Sequence, residues 1–559
     1  MAAIGDVGAP QLKAVPGGGN NKRLRETLNA LQSRELVLGF SGPIGSGLKS
    51  VINLFETNLL EIGYTVVRVK ISDLIQKYAT SKPDLTQTSK AYRYEYLQEQ
   101  GNALRSDKEN NILAQLAVMH ISVDRAKRHP GQDLGEVTPG KVAYLIDQLK
   151  HPEEIELLRG VYGANFFLLG VLCGYEQRKQ NLKSEGVSAS EAENLMERDR
   201  KQQEKYGQKL EKTLQYADFF LRNARSNTLQ IEEPIVRFLH LMHGKVGVTP
   251  TEQEQGMYAA YSAALGSACL SRQVGAAIQD KDGKLIATGC NDVPKGGGGL
   301  YKEGDGLNDH RCVHLDGGMC FNHREKDTLR SEVEQLARVS LLKELSKVEE
   351  LAGKEQRVRE ISNLLASSVA NQLREESRIK DLLEFSRSVH AEMDALVALA
   401  RTGSASASGG VLYTTTYPCH NCARHIIAAG IRAVYFIEPY EKSLAVELHG
   451  DAIDHTADEE PGFVQWERDG RLGSKVSFLH FEGVAPRRYL DLFSVHGERK
   501  DPSSGRAVQF YSRSAEKRIP QFLEGYIDVE SRVVKHLKTI GIEAAGNLAP
   551  EDGGGPRVA

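Results

Sequence analysis

Four residues in the C-terminal half of this chain have the types and spacing of a catalytic zinc site. His390 and Glu392 stand in one short segment, and Cys419 and Cys422 stand in a second one that reads Cys-His-Asn-Cys. Catalytic zinc usually takes three protein ligands and keeps one open position for water. His390, Cys419 and Cys422 would supply the three ligands, which leaves Glu392 for proton transfer.

The two segments must come from the starts of two helices. In a Cys-x-x-Cys sequence at a helix start, both thiolates can point at one ion, and the helix N-terminus favours their negative charge. The apolar spacing after His390 predicts a second helix that places the imidazole beside them. Zinc lowers the pKa of a bound water to about 7. We expect Glu392 to take that water's proton and to return it to a ring nitrogen and then to departing ammonia.

Each half of this pattern has a simpler interpretation when it is taken alone. A Cys-x-x-Cys pair also occurs in structural zinc knuckles and in redox sites, and a His-x-Glu occurs by chance in many helices. A closed structural site would need a fourth protein ligand, for which His420 and His425 are candidates. The combination of both halves, in this order and after apolar strand patterns, favours the catalytic zinc.

The order His-x-Glu, then Pro-Cys-x-x-Cys, resembles the zinc-dependent cytidine and deoxycytidylate deaminases. The resemblance extends to apolar segments that are typical of the strands of that fold, at residues 271–278, 285–294, 412–417 and 432–437. It implies an α/β/α domain of the cytidine deaminase type. It also implies that Asn291 hydrogen-bonds the sugar hydroxyl of a nucleotide.

A glycine-rich loop in the N-terminal half predicts a phosphate site. It follows the apolar run 36–41, and a strand, a glycine loop and a helix form the P-loop, whose backbone N–H groups hold phosphate oxygens. The candidate nucleotide-binding residues are Gly42, Gly45, Gly47, Lys49 and Ser50. The sequence departs from the standard pattern because Leu48 follows the last glycine. The lysine and the serine are therefore displaced by one position, or about 100° around a helix.

The segments after this loop resemble P-loop nucleoside monophosphate kinases in their order. Their alternating strand and helix patterns predict a parallel sheet covered on both faces. Asp147 ends one of these strands and is a candidate acid for Mg²⁺. Because Lys49 is displaced, three interpretations stay open: an active kinase, a nucleotide-binding or regulatory domain, and a structural relic. The charged stretch 177–212 predicts a solvated helix or lid.

Between Asn291 and His390 the chain carries an insertion, at about 296–384, that ordinary deoxycytidylate deaminases lack. Most of it is a charged helical stretch, which we expect to form an oligomer contact or to cover the active site. Near its start, tetrahedral N/S ligands for a second, structural zinc are offered by Cys312, His314, Cys320 and His323, with His310 beside them. The alternative is a chance cluster of surface residues, since the spacing fits no standard zinc finger.

The composition of the chain limits the classes of function that it can have. The chain has 559 residues, of which 40% are hydrophobic and 26% are charged, and its formal net charge is −3. This length predicts two or more domains, and the balanced charge argues against a polynucleotide-binding surface. No stretch approaches the ~20 apolar residues of a membrane span. Seven cysteines do not make a disulfide framework, so a reducing cytoplasm is the expected location.

We expect four segments along the chain. They are a disordered N-terminus (1–30), a P-loop kinase-like domain with a parallel sheet (31–245), a deoxycytidylate deaminase-like α/β domain with the helical insertion (250–500), and a C-terminal extension with a loose tail (501–559). Over most of 34–495 this order is similar to the antiviral, or anti-phage, dCTP deaminase family. The C-terminal part of the resemblance suggests that at least one of three cations meets substrate phosphates: Lys442, Arg487 and Arg488.

The resemblance implies hydrolytic conversion of dCTP, dCMP or both to the deoxyuridine nucleotide, which depletes the dCTP that phage replication requires. It also implies a homo-oligomer, and control by a small regulatory RNA or by nucleotide levels. The residues alone support the narrower statement of a zinc hydrolase acting on an amino-substituted ring. Two alternatives from other classes stay open, a polynucleotide cytosine deaminase and a nucleotide-sensing scaffold with a structural zinc.

Overall fold

The computed structural model describes residues 33–80, 83, 88–132, 140–200, 209–223, 228–440, 443–455, 474–494, 510–515, 517, 534, 537 and 538. Within these ranges the chain forms a mixed α/β structure with two six-stranded sheets. The predicted disordered N-terminus, most of the predicted C-terminal extension and Lys442 lie outside the described residues.

The first sheet is built mainly from parallel strands of the N-terminal half. These strands are β1 (Leu36–Ser41), β2 (Thr65–Lys70), β3 (Val142–Asp147), β4 (Phe166–Leu172) and β5 (Phe219–Arg222), and they lie in the order β5-β4-β1-β3-β2. The central strand β1 is buried along its whole length, as expected for a parallel strand covered on both faces. The glycine-rich loop therefore leaves the middle of the sheet.

Helices cover both faces of this sheet over two hydrophobic cores. In chain order they are α1 (Leu48–Glu61), α2 (Ile71–Tyr78), α3 (Lys90–Asp107), α4 (Ile112–Arg128), α5 (Pro152–Tyr162), α6 (Tyr175–Ser184), α7 (Ala189–Arg200), α8 (Leu210–Leu214) and α9 (Thr228–Met242). One core lies under α1 and α9, and the other lies under α4 and α5. Of the helices that the structure describes, none has the length and apolar character needed to cross a membrane.

The second sheet carries the segments that hold the predicted zinc ligands. Its strands are β6 (Gly275–Gln279), β7 (Leu285–Cys290), β8 (Val411–Thr416), β9 (Ala433–Glu438), β10 (Ile453–Asp454) and β11 (Val476–His480), in the order β10-β11-β9-β8-β6-β7. β6 runs antiparallel to β7 and β8, whereas β8, β9, β11 and β10 are parallel. The apolar segments that resembled deaminase strands thus form neighbouring strands of one sheet.

Successive residues of β6 face opposite sides of this sheet, and helices cover both sides. Ala277 joins the core that includes α10 (Glu252–Ala264), and Ala276 joins the core of α13 (Ala391–Thr402) and α14 (His420–Ala428). A short helix, α15 (Ala445–His449), packs against α14. The zinc-ligand segments therefore lie together on one face of the sheet.

The insertion forms a helical hairpin. Its helices are α11 (Phe321–Leu345) and α12 (Glu355–Glu376), which pack against each other along most of their length. The face of α12 turned inward is made of small residues, Val358, Ser362, Ala366 and Ala370, which are buried. Small side chains at every fourth position allow the two helices to lie close together.

The end of the described chain returns to the first sheet. β12 (Gly483–Val484) pairs antiparallel with β5, and α16 (Tyr489–Phe493) follows it. Asp218, just before β5, accepts hydrogen bonds from Arg159 and Arg487, and Arg488 lies 3.4 Å from the same carboxylate. The suggestion that Arg487 or Arg488 meets substrate phosphates is therefore not supported, since both lie at the junction between the two sheets.

Candidate active site

The two zinc-ligand segments both sit at helix N-termini, as the sequence predicted. His390 has extended backbone angles and immediately precedes α13. Cys419 is the N-cap of α14, and its sulfur accepts a hydrogen bond from the backbone N–H of Cys422. Strand β8 ends three residues earlier, at Thr416, and delivers Cys419 to the same edge of the sheet. The partial positive charge of the helix N-terminus favours thiolates at this position.

The ligand atoms of these residues converge on one point. His390 Nδ1 lies 3.3 Å from Cys419 Sγ and 3.3 Å from Cys422 Sγ. All three ligand atoms are within 4.8 Å of one another, and no other such group of three occurs in the described part of the chain. Tetrahedral zinc with Zn–S of about 2.3 Å and Zn–N of about 2.0 Å separates S from N by about 3.5 Å. The predicted ligands therefore fit a zinc ion.

Glu392 lies beside this group without belonging to it. Its side chain is buried, and its Oε2 lies 3.5 Å from the Cys422 sulfur. Burial raises the pKa of Glu392, because a carboxylate loses its hydration there. A carboxyl group whose proton affinity has been raised can both accept and return a proton near neutral pH.

The thiols and the imidazole share protons among themselves. The hydrogen bond from the Cys422 thiol lowers the pKa of Cys419 to about 4, and the neighbouring imidazole acts in the same direction. The hydrogen bond to Cys419 raises the pKa of His390. A thiolate, rather than a thiol, binds zinc, and the lowered pKa of Cys419 favours that form.

A cavity of about 310 Å³ opens onto these residues. His390, Glu392 and Cys419 line its inner end, and Asn291, Thr416, Tyr417 and Tyr440 line its sides. Pockets for small ligands typically enclose about 300–1,000 Å³. The cavity thus has room for a small molecule next to the three ligands and the carboxyl group.

Asn291 lines this cavity, but both ends of its amide already have protein partners. Its Oδ1 accepts from Val274 N at 2.7 Å, and its Nδ2 donates to Arg272 O at 2.8 Å. These bonds fix the segment that enters β6. Contact between Asn291 and a sugar hydroxyl stays a prediction, because each end of the amide has capacity for a further hydrogen bond.

The structure does not bring the second metal candidates together. His314 Nε2 lies 3.3 Å from Asp309, and His323 Nε2 lies 3.2 Å from Asp327. Cys320 Sγ lies 3.8 Å from the Ser271 hydroxyl. Although Cys312, His314, Cys320 and His323 are all described, they provide no group of three ligand atoms within 4.8 Å. Each histidine lies beside a carboxylate instead, so the structure does not support a second zinc here.

The glycine-rich loop has the predicted backbone, and Lys49 is displaced from it, as the sequence indicated. Gly45 and Gly47 have positive φ of 78° and 71°, and α1 starts at Leu48. Leu48 is buried, whereas Lys49 and Ser50 are exposed on the outer surface of α1. The one-residue displacement has turned both side chains away from the core of the loop.

Side chains from distant segments fill this loop. Asp199 Oδ2 accepts from Ile44 N at 2.7 Å, while Asp199 Oδ1 accepts from Lys150 Nζ at 2.5 Å. Other polar side chains reach the loop carbonyls: Arg178 Nε donates to Ile44 O, Asn181 Nδ2 to Gly45 O, and Asn223 Nδ2 to Ser46 O. A carboxylate thus takes a backbone N–H of the kind that a phosphate would use in a P-loop.

Sequence reasoning missed Asp199 and Lys150. The charged stretch 177–212 was predicted to be solvated, whereas Asp199 in α7 is 1% exposed and Lys150 is 6% exposed. A charged residue within a charged, helical segment carries no local signal of burial, because its partner lies far away in the sequence. The basic residues of the cavity wall, Arg272, Lys326 and Lys380, were also missed, because their place beside the cavity depends on the tertiary fold.

Comparison with known proteins identifies a deaminase-like region that contains His390, Cys419 and Cys422. Residues 250–438 match the family described as the cytidine and deoxycytidylate deaminase zinc-binding region. ComE operon protein 2 from Bacillus subtilis (strain 168) is 42% identical over 55 residues, which are 10% of this chain and 29% of that protein. Deoxycytidylate deaminase from Enterobacteria phage T2 is 40% identical over 55 residues, again 10% and 29%. The matched stretch thus spans less than a third of either relative.

Solved structures similar to the chain include the dCMP deaminase of cyanophage S-TIM5. Its apo form is 16% identical, with 41% of this chain and 99% of that chain covered and a TM-score of 0.19. The same enzyme in complex with dCMP and dUMP is 18% identical, with 41% and 98% covered and a TM-score of 0.20. The family match at 250–438 assigns a deaminase-like region to this chain.

Proposed function

We propose that this protein is a zinc-dependent hydrolase that deaminates deoxycytidine nucleotides to deoxyuridine nucleotides. The observation that carries the proposal is the convergence of His390, Cys419 and Cys422 on one point, with the buried Glu392 beside them at the end of a cavity. Three protein ligands leave a fourth position open, which is the arrangement of a catalytic site and not of a structural one.

The reaction replaces an amino group by oxygen. Water adds to C4 of the cytosine ring, the C4–N bond breaks, and ammonia leaves while a carbonyl forms at C4. Zinc, when bound, supplies the positive charge that makes water acidic near neutral pH. Glu392 takes a proton from water, gives it to the ring nitrogen N3, and carries the further proton that converts the amino group into ammonia. Its buried position keeps bulk water from competing for these protons.

The substrate range and the biological role are the finer part of the proposal. The resemblance of residues 34–495 to antiviral dCTP deaminases supports dCTP, dCMP or both as substrates, and depletion of dCTP as the role. The balanced charge of the chain favours a free nucleotide over a polynucleotide. Self-association and control by a small RNA stay predictions of that resemblance.

For the first sheet we propose a structural or regulatory role without phosphoryl transfer. Kinases of the P-loop class need a lysine on the phosphates, whereas Lys49 is exposed and Leu48 occupies the position after the last glycine. The filling of the loop by Asp199 supports the same conclusion. A regulatory nucleotide would have to displace this carboxylate.

Product analysis tests the proposed function. The zinc-loaded protein is incubated with dCMP, dCTP, CTP, cytidine and a cytosine-containing oligonucleotide in parallel, and the products are separated by chromatography. We expect ammonia and the uracil product from dCMP, dCTP or both. Glu392→Gln should lower kcat by about 10²- to 10⁴-fold while zinc content stays unchanged. The exposed Glu447, in α15, gives a matched control, Glu447→Gln, with unchanged kcat. Full activity of Glu392→Gln would overturn the proposal.

A further inference from the structure

The insertion supplies one wall of the catalytic cavity. Asn322 and Lys326, in the first two turns of α11, line the cavity, and Lys380, just after α12, lines it beside them. The helical hairpin therefore reaches the active site with its base, where its two ends meet.

The base of the hairpin is closed by a buried ammonium group. Lys326 is 6% exposed, and its Nζ donates to the backbone oxygen of Lys380 at 2.6 Å. This bond joins the start of α11 to the chain that leaves α12. It holds the two residues next to each other, and both belong to the cavity lining, so the insertion contributes two lysines to this wall.

A third cation stands on the wall formed by the segment before β6. Arg272 lines the cavity, is half exposed, and lies 5.9 Å from the centre of the Tyr440 ring. Its backbone oxygen is held by Asn291. Among the lining residues the cations are thus Arg272, Lys326 and Lys380, whereas Glu392 at the inner end is the carboxylate. Arg272 also lies 3.9 Å from the Glu438 carboxylate, which balances part of its charge.

We infer that the insertion binds the phosphate tail of the substrate through Lys326 and Lys380, together with Arg272, and so determines the preference for nucleotides over nucleosides. The inference rests on the proposed function, because it assigns the cavity to a deoxycytidine nucleotide whose ring lies at Glu392. The phosphates then extend toward the cations. Ammonium and guanidinium groups bind phosphate oxygens by charge-assisted hydrogen bonds, which are about twice as strong as neutral ones.

Asn322 adds a polar group at the same wall. Its Oδ1 is buried and has no hydrogen-bond partner among the described residues. A buried amide oxygen without a partner is costly, and the sugar hydroxyl of a bound nucleotide would satisfy it. The wall thus offers one acceptor for the sugar and two cations for the phosphates.

Substitutions of the two lysines test the inference. In Lys326→Met the stem of the side chain stays while the charge is lost, and Lys380→Ala removes an exposed side chain, for which no loss of folding is expected. We expect KM for dCMP and dCTP to rise about 10- to 100-fold in each variant, kcat to change less than about threefold, and turnover of deoxycytidine to be unchanged. Lys343→Ala, an exposed lysine near the far end of α11, is the matched control and should leave all three unchanged.

A binding measurement separates this inference from the proposed function. Calorimetric titration of dCTP and of deoxycytidine into the Glu392→Gln protein reports affinity without turnover. If the unsubstituted protein deaminates nothing, yet the lysine variants weaken dCTP binding tenfold and deoxycytidine binding not at all, the proposed function fails and the phosphate wall stands. Equal losses for dCTP and deoxycytidine, or unchanged dCTP affinity in Lys380→Ala with an unchanged melting temperature, would overturn the inference.

Discussion

The glycine-rich loop and the zinc-ligand group are both short motifs at a junction between a strand and a helix, yet only one of them forms an open site. The zinc ligands converge beside a cavity of about 310 Å³. The glycine loop adopts its expected backbone, but Asp199 and other polar side chains of the same chain fill it. A motif therefore determines local backbone geometry, whereas distant segments determine whether a ligand can reach it.

The two regions also differ in where their partners come from. The predicted zinc ligands stand at the starts of two neighbouring helices on one face of the second sheet, and His390 and Cys419 are 29 residues apart. The carboxylate at the glycine loop comes from a helix 155 residues beyond Ile44. Sequence reasoning finds a site whose parts share one motif, and it overlooks a partner that arrives through the tertiary fold.

Removal of one zinc ligand is the most severe test of this contrast. Cys419→Ala leaves two ligands, so we expect zinc to fall from about one ion per chain to nearly none and deamination to fall at least about a thousandfold. Metal content by atomic emission and turnover of dCMP and dCTP measure the two effects. Cys312→Ala is the matched control and should retain both. Unchanged zinc in Cys419→Ala, or a loss of one of two ions in Cys312→Ala, would contradict the ligand assignment.

Removal of the carboxylate in the glycine loop tests the other region. Asp199→Ala leaves the buried Lys150 ammonium and the Ile44 N–H without their partner. Breaking a buried ion pair in this way costs about 3–5 kcal/mol of the free energy of unfolding. Urea denaturation of the full chain measures the loss. The exposed pair of Lys179 and Glu193 provides the control, since Glu193→Ala should leave the urea midpoint unchanged. A similarly small effect of Asp199→Ala would restore the prediction of a nucleotide site.

Buried histidines in both regions make stability depend on pH. The two histidines are His243, which directly follows α9, and His480, which ends β11. Burial lowers the pKa of each imidazole to about 4. In the unfolded chain each histidine takes up a proton near pH 6.5, so their contribution to stability is full above pH 6.5 and is lost as pH falls toward 4. Each histidine should lower the free energy of unfolding by about 2 kcal/mol when the pH falls from 7 to 5. Urea denaturation at both values measures this.

Replacing one histidine shows whether the two regions unfold together. His480 Nδ1 is buried without a partner among the described residues, and its ring contacts Phe436. His480→Phe keeps the ring contact and should reduce the loss between pH 7 and pH 5 by about 2 kcal/mol. If the two sheets unfold as one unit, the loss will appear in a single transition. A variant that keeps the whole pH dependence would rule out His480 as its source.

Much of the strand framework follows directly from the sequence. The strand predicted from the run Leu-Val-Leu-Gly-Phe-Ser is β1 without a shift, and Val142–Asp147 is β3 as predicted, because buried parallel strands are continuous apolar runs. The three residues predicted as zinc ligands also converge, since their spacing carries the chemistry, and zinc binding by them stays a prediction. The pairing of Gly483–Val484 with β5 was not found. A strand of two residues has no periodicity, and its place is determined by the junction that Asp218 makes with the arginines.

The smallest predicted effect concerns Lys49, the residue on which a kinase interpretation depends. Lys49 is exposed on α1, and Leu48 fills the position that a P-loop lysine would take, so the ammonium group has no route to a phosphate held by the loop. Lys49→Ala should change deamination and the urea midpoint by no more than Lys281→Ala does, an exposed lysine in the turn between β6 and β7. Binding of an ATP analogue to the full chain should change less than about twofold, which is close to the limit for surface substitutions. A tenfold loss of that binding in Lys49→Ala alone would mean that the loop opens and that its lysine turns inward, and the contrast between a filled and an open site would then fail.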